Sequence, residues 1–140
     1  MSSPQTVLQK HYSEGKPIAD VEISVVNPIN SRQVTLQRKV QIDTGFDSGV
    51  HIKEAEVSEL AIIGVKPHIG SVKLAGNVSA KAHFCLGYLQ KIGDYSLPPP
   101  GIEITLVFQG TMPQGLLGLE AINNWIVTFN GPAQLFKIIG

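Results

Sequence analysis

Apolar and polar positions alternate with a period of two along much of the chain. Ala19, Val21, Ile23 and Val25 are apolar against Asp20, Glu22 and Ser24, which predicts a half-buried strand. Asn27-Pro28-Ile29-Asn30-Ser31 then supplies turn residues, and alternation resumes through Val34, Leu36, Val40 and Ile42. Arg38 interrupts that apolar face, so a bulge or an exposed strand end is expected there. Together the two runs predict a β-hairpin that leads straight into Asp43-Thr44-Gly45.

Lys53 to Ala61 carries Val57, Leu60 and Ala61 at helical spacing, enough for one or two turns. Ser71–Ala75 and Val78–Tyr88 predict two strands meeting at Gly76-Asn77, a pair suited to a hairpin turn. After a loop stiffened by Pro98-Pro99-Pro100, Ile102, Ile104, Leu106 and Phe108 mark a further strand. Gly115-Leu116-Leu117-Gly118 precedes a short helix expected over Leu119–Asn124. Trp125, Val127 and Phe129, then Leu135 to Ile139, predict a closing hairpin. Many short strands and two helical scraps make the class mainly β, as a closed or rolled-up sheet. Residues 1–16 are polar and aperiodic and read as a tail, leaving 17–140 as a single domain.

Composition narrows the function classes. Eleven Lys and Arg balance eleven Asp and Glu, which excludes a protein that grips nucleic acid chiefly through phosphates. No apolar run reaches the length needed to span a bilayer. Cys85 is the single cysteine, so an intramolecular disulfide is excluded, and the start shows no secretory pattern. The expected address is therefore cytoplasmic. His11, His51, His68 and His83 are scattered without metal-ligand spacing and read as structural residues; no metal or other cofactor is expected. No phosphate-binding or dinucleotide fingerprint occurs.

The remaining chemistry sits in Val40-Gln41-Ile42-Asp43-Thr44-Gly45. An apolar strand delivers an aspartate that a hydroxyl residue and a glycine can hold at a turn. Such a triplet is also an ordinary strand exit. With the second motif added, apolar strand, Asp-Thr-Gly, and about seventy residues later Leu116-Leu117-Gly118 before a short helix, the chain resembles the single-lobed retropepsin-like aspartic proteases. The resemblance spans about residues 17–140 and implies a rolled antiparallel barrel with a flap hairpin whose tip is Gly76-Asn77.

It further implies a homodimer in which one Asp43 from each subunit forms the catalytic dyad for hydrolysis of an extended peptide. Thr44 and Gly45 would support that turn, and Leu116, Leu117 and Gly118 would form the structural apolar-apolar-Gly motif. Asp47, in a second Asp-Ser-Gly triplet, would contact the substrate main chain; Asp43 is the dyad candidate because it follows the apolar strand directly. Phe46 stands where the family usually has Ala or Ser, which opens the alternative of a silent dimerisation or peptide-binding module. An unrelated small β-barrel is the other alternative.

Charge is also unevenly spread. Charged residues are 16% of the chain against about 25% in ordinary domains. From Ile104 to the end only Glu120 and Lys137 are charged, which points to 104–140 as the subunit interface.

Overall fold

The first hairpin forms because its alternating residues have an inside to fill. In the computed structural model, which describes residues 5–140, β2 (Ile18–Val26) pairs with β3 (Gln33–Ile42) without a register shift from Ile18↔Gln41 to Val26↔Gln33. Ala19, Val21, Ile23 and Val25 of β2, with Leu36, Val40 and Ile42 of β3, are buried in one core. The bulge expected at Arg38 does not occur. Its Nε donates to Glu56 Oε2 at 2.8 Å, and Nη1 donates to the Gln37 carbonyl, so the cation is met without breaking the ladder.

Six strands close the barrel. β3 pairs parallel with β9 (Gly115–Leu117), β9 antiparallel with β4 (Val50–Ile52), and β4 parallel with β8 (Ile102–Phe108). Antiparallel pairing of β8 with β6 (Ser79–Ile92), and of β6 with β2, completes the ring. Four ladders are thus antiparallel, as expected, and the two parallel ones flank the inserted β9–β4 pair. Ile104, Leu106 and Phe108 point inward and are fully buried.

β5 (His68–Lys73) pairs with the first half of β6, and the chain reverses through Ala75–Asn77, where Gly76 and Asn77 adopt positive φ. Those are turn-favouring residues for that backbone. Besides the 3₁₀ reversal at Ala75–Asn77, a 3₁₀ turn (Glu54–Val57), α1 (Ser58–Ile62) and α2 (Leu119–Ile122) are the helical pieces described. The two-residue β7 (Tyr95–Ser96) folds back on β6.

A separate three-stranded sheet has the order β1–β11–β10, from β1 (Thr6–His11), β10 (Ile126–Asn130) and β11 (Leu135–Ile139). The polar-tail expectation is corrected here, since residues 6–11 pair antiparallel with β11 and bury Val7. Met1–Pro4 of that expected tail lie outside the described residues. Ladder hydrogen bonds, which any residue except proline can make, hold a strand whose side chains are mostly polar.

Candidate active site

Asp43 follows the last residue of β3, and the barrel's strand order fixes where that leaves it. β9 lies between β3 and β4, so the loop 43–49 must arch over the end of β9 to reach β4. The Asp43 N–H donates to the Leu117 carbonyl at 2.9 Å, and the Gly118 N–H donates to the Gly49 carbonyl at 2.7 Å. On the far side, Leu119 N donates to Phe46 O at 2.8 Å and Glu120 N to Ser48 O at 3.2 Å. The Asp-Thr-Gly loop and the Leu-Leu-Gly segment are therefore one hydrogen-bonded unit. A Cβ on Gly118 would fall on the Phe46 and Ser48 carbonyl oxygens, so only glycine fits beneath the arch.

The turn itself is held by Asp43, whose Oδ1 accepts the Gly45 N–H at 2.8 Å, rather than by the Thr44 hydroxyl. A Cβ on Gly45 would stand 3.2 Å from that oxygen. Asp43 is half-buried, while Thr44, Gly45 and Asp47 are exposed. Glu120 joins the arch to the barrel: its Oε1 accepts from Thr105 N at 2.7 Å and its Oε2 from the Thr105 hydroxyl at 3.1 Å. Glu120→Ala would leave the Thr105 donors to solvent and is expected to cost about 1–2 kcal/mol, read as a lower urea midpoint at unchanged slope.

A cleft of about 580 Å³ opens beside this arch. Its floor is the outer face of the barrel, where His51 stands opposite Val107 of β8 on one side and Leu116 of β9 on the other. Alternation explains the set: Val50, Ile52, Leu106, Phe108 and Leu117 point inward, so His51, Val107 and Leu116 point outward. Asp43, Gly45 and Phe46 line one wall, and Val72 to Ala75 of the β5–β6 hairpin form the roof. Phe46 and His51 rings lie 6.1 Å apart, so the phenyl ring occupies the cleft beside the imidazole.

Asp43, Gly45 and Leu116 thus meet in one cleft, and Leu117 and Gly118 support it from below. The turn residues Gly76 and Asn77 sit at the hairpin tip, one and two residues beyond Ala75; Asp47 is outside the cleft lining. His51, read from the sequence as a surface or half-buried structural residue, is half-buried and also lines the cleft, as do Gln109 and Met112. A lone polar residue in a three-residue strand gives no sequence signal of its face. Cys85 is part of the barrel wall, and burial pushes its thiol up to about 11. Among the described residues no group of three or more metal-ligating side chains occurs, and no helix there is long and apolar enough to cross a membrane.

No family model and no curated protein matches the chain. Among solved structures it is similar to a retropepsin-like aspartic protease from Rickettsia conorii, with 16% identity and a TM-score of 0.57. That match covers 99% of this chain and 96% of the other. With nearly the whole of both chains superposed, this chain has the retropepsin-like fold.

Proposed function

We propose that two copies of this chain form an aspartic endopeptidase, with one Asp43 from each meeting across a two-fold axis. The observation that carries this reading is the position of Asp43, clamped by Leu117 at the wall of an apolar cleft under a hairpin. One chain supplies one such carboxylate, so a dyad requires a second copy. Two carboxylates in contact cannot both ionise cheaply, and they share a proton. The ionised Asp43 takes a proton from water as its oxygen attacks the scissile carbonyl carbon, while the protonated Asp43 gives its proton to the carbonyl oxygen. Collapse of the diol transfers a proton to the amide nitrogen and breaks the C–N bond. A carboxylic acid and an amine leave, and the dyad again holds one proton.

Thr44, exposed in a single chain, would meet its symmetry mate beneath the dyad. Gly45 and Asp47 would contact the substrate main chain, and the hairpin carrying Gly76 and Asn77 would close over an extended peptide. For the interface, Ile104, Leu106, Val107 and Phe108 are already buried within this chain, so the expected span of 104–140 narrows to its last part. β10 is a sheet edge with no charged residue, and it exposes Ile126 at 66% and Phe129 at 43%. An uncharged apolar edge is a pairing surface unless something covers it, and a second copy would. A lone reduced cysteine fits a cytoplasmic address.

The test is cleavage of unfolded casein at pH 3–6. Products should appear with the purified chain and be absent with Asp43→Asn; cleavage that survives this change would defeat the assignment. Phe46 favours a second reading, a peptide-binding dimer without turnover, because its ring occupies cleft space. If the native chain binds peptide without cutting it, Phe46→Ala is expected to restore cleavage under the same conditions.

A further inference from the structure

His51 stands half-buried on the cleft floor, flanked in register by Val107 and Leu116. Its Nε2 lies 2.8 Å from the Gln109 main-chain oxygen and 3.1 Å from Gln109 Oε1. That main-chain oxygen has little freedom to move, because the residues on either side of it are pinned to neighbouring chain. The Gln109 N–H donates to the Ile52 carbonyl at 2.9 Å, and the Gly110 carbonyl accepts the Glu54 N–H at 2.9 Å. A carbonyl oxygen only accepts, so Nε2 carries a hydrogen and donates it. In the neutral ring this sets the tautomer and leaves Nδ1 with a lone pair.

Nothing described in the protein uses that lone pair. Nδ1 has no hydrogen-bond partner among the described residues. Nor is it one of the sealed, unpartnered side-chain atoms, which are Ser24 Oγ and His83 Nδ1. The cleft floor thus carries an open acceptor in a fixed orientation, set among Val107, Leu116 and the Phe46 ring. Those neighbours decide what it can accept from. A carboxylate brings no hydrogen and would set its own lone pairs against Nδ1. An ammonium brings hydrogens but would trade its water shell for one neutral acceptor on an apolar floor. An amide or hydroxyl costs far less to desolvate and supplies the hydrogen that the ring nitrogen lacks.

We propose that His51 Nδ1 accepts a hydrogen bond from an uncharged donor on a substrate side chain, as in Gln, Asn, Ser or Thr. This rests on the reading of the cleft as a peptide site and adds a substrate class to it. His51 is a specificity-determining residue, and the Gln109 main chain holds it in the accepting tautomer.

The test uses the full chain carrying Asp43→Asn, so that binding is read without turnover. It is run at pH 8, above the range in which histidines ordinarily take up a proton. Fluorescently labelled extended peptides differ only in Gln, Met or Glu at one position, which is moved in turn across the cleavage point. Met copies the length of Gln without its donor, and Glu copies its shape. At one position, adding His51→Leu is expected to lower the Gln-to-Met and Gln-to-Glu affinity ratios by about fivefold each. Ratios that His51→Leu leaves unchanged at every position, while the peptides still bind, overturn the subsite alone. If melting curves show that His51→Leu fails to fold, the nitrogen NMR resonance of His51 Nδ1 in the Asp43→Asn chain replaces it. That nitrogen should read as unprotonated at pH 8 and shift with the Gln peptide but not with the Met peptide. A protonated Nδ1, or one unmoved by bound Gln peptide at every position, likewise overturns the subsite. Binding of none of the peptides, with no cleavage by the native chain, overturns both the subsite and the peptidase reading.

Discussion

Gly118→Ala is expected to cost the fold about 3–5 kcal/mol, a large share of the roughly 5–15 kcal/mol that holds a domain of this size. A Cβ at that position would come 2.6 Å from Phe46 Cδ2 and would also run into the Phe46 and Ser48 carbonyl oxygens. Neither oxygen is free to retreat, because each accepts a main-chain N–H from α2. Lifting the arch would break those bonds and the one from Gly118 N to Gly49 O. The cost is therefore overpacking plus lost hydrogen bonds. Urea titration followed by circular dichroism should show either no folded baseline or a much lower midpoint. Gly131→Ala is the matched control: a Cβ there meets nothing within 4 Å, and its effect should stay within about 0.5 kcal/mol. Equal midpoints for the two variants would mean that the loop does not wrap Gly118.

The same arch explains what the sequence discloses and what it hides. Ala19–Val25 and Val34–Ile42 are long enough for alternation to show, and their inward faces are the barrel core. Asp43 and Leu116-Leu117-Gly118 are legible as a pair through the family resemblance, and the fold shows what joins them: the loop crosses a strand, and the crossing needs a glycine. By contrast β4 and β9 have three residues each, too short for a period, although they set the cleft floor. His51 becomes meaningful only through its register with Val107 and Leu116, a long-range property that no local pattern encodes. β1 escapes notice for a different reason. Its Thr, Gln, Lys and His side chains are an edge strand's, and what holds it is the ladder to β11. Scarcity of charge after Ile104 has two causes that composition cannot separate, burial of β8 inside the barrel and the bare apolar edge of β10.

Mixing native and Asp43→Asn chains is expected to lower cleavage further than dilution can explain. In the homodimeric variant the amide can neither take a proton from water nor share one with its mate, so the rate should fall by at least about a thousandfold. In a mixed dimer one carboxylate faces one amide, and the shared proton on which both roles depend is lost. With equal amounts of the two chains and free exchange, about a quarter of the dimers retain two aspartates under two-fold pairing. Activity at constant total protein should then settle near a quarter of the native value. If each chain carried a complete site, the same mixture would retain about half, and that outcome would remove the dyad. Exposure of Ile126 and Phe129 gives the experiment its second arm. Ile126→Lys places a charge on the β10 edge and should convert the native chain to a monomer in sedimentation, with cleavage lost in parallel. Retention of full activity by a monomeric Ile126→Lys chain would contradict the two-subunit site independently of any change at Asp43. Loss of both properties together, with the barrel's melting curve preserved, would tie the uncharged edge to the chemistry: the surface lacking charge would be the condition for the second carboxylate to arrive.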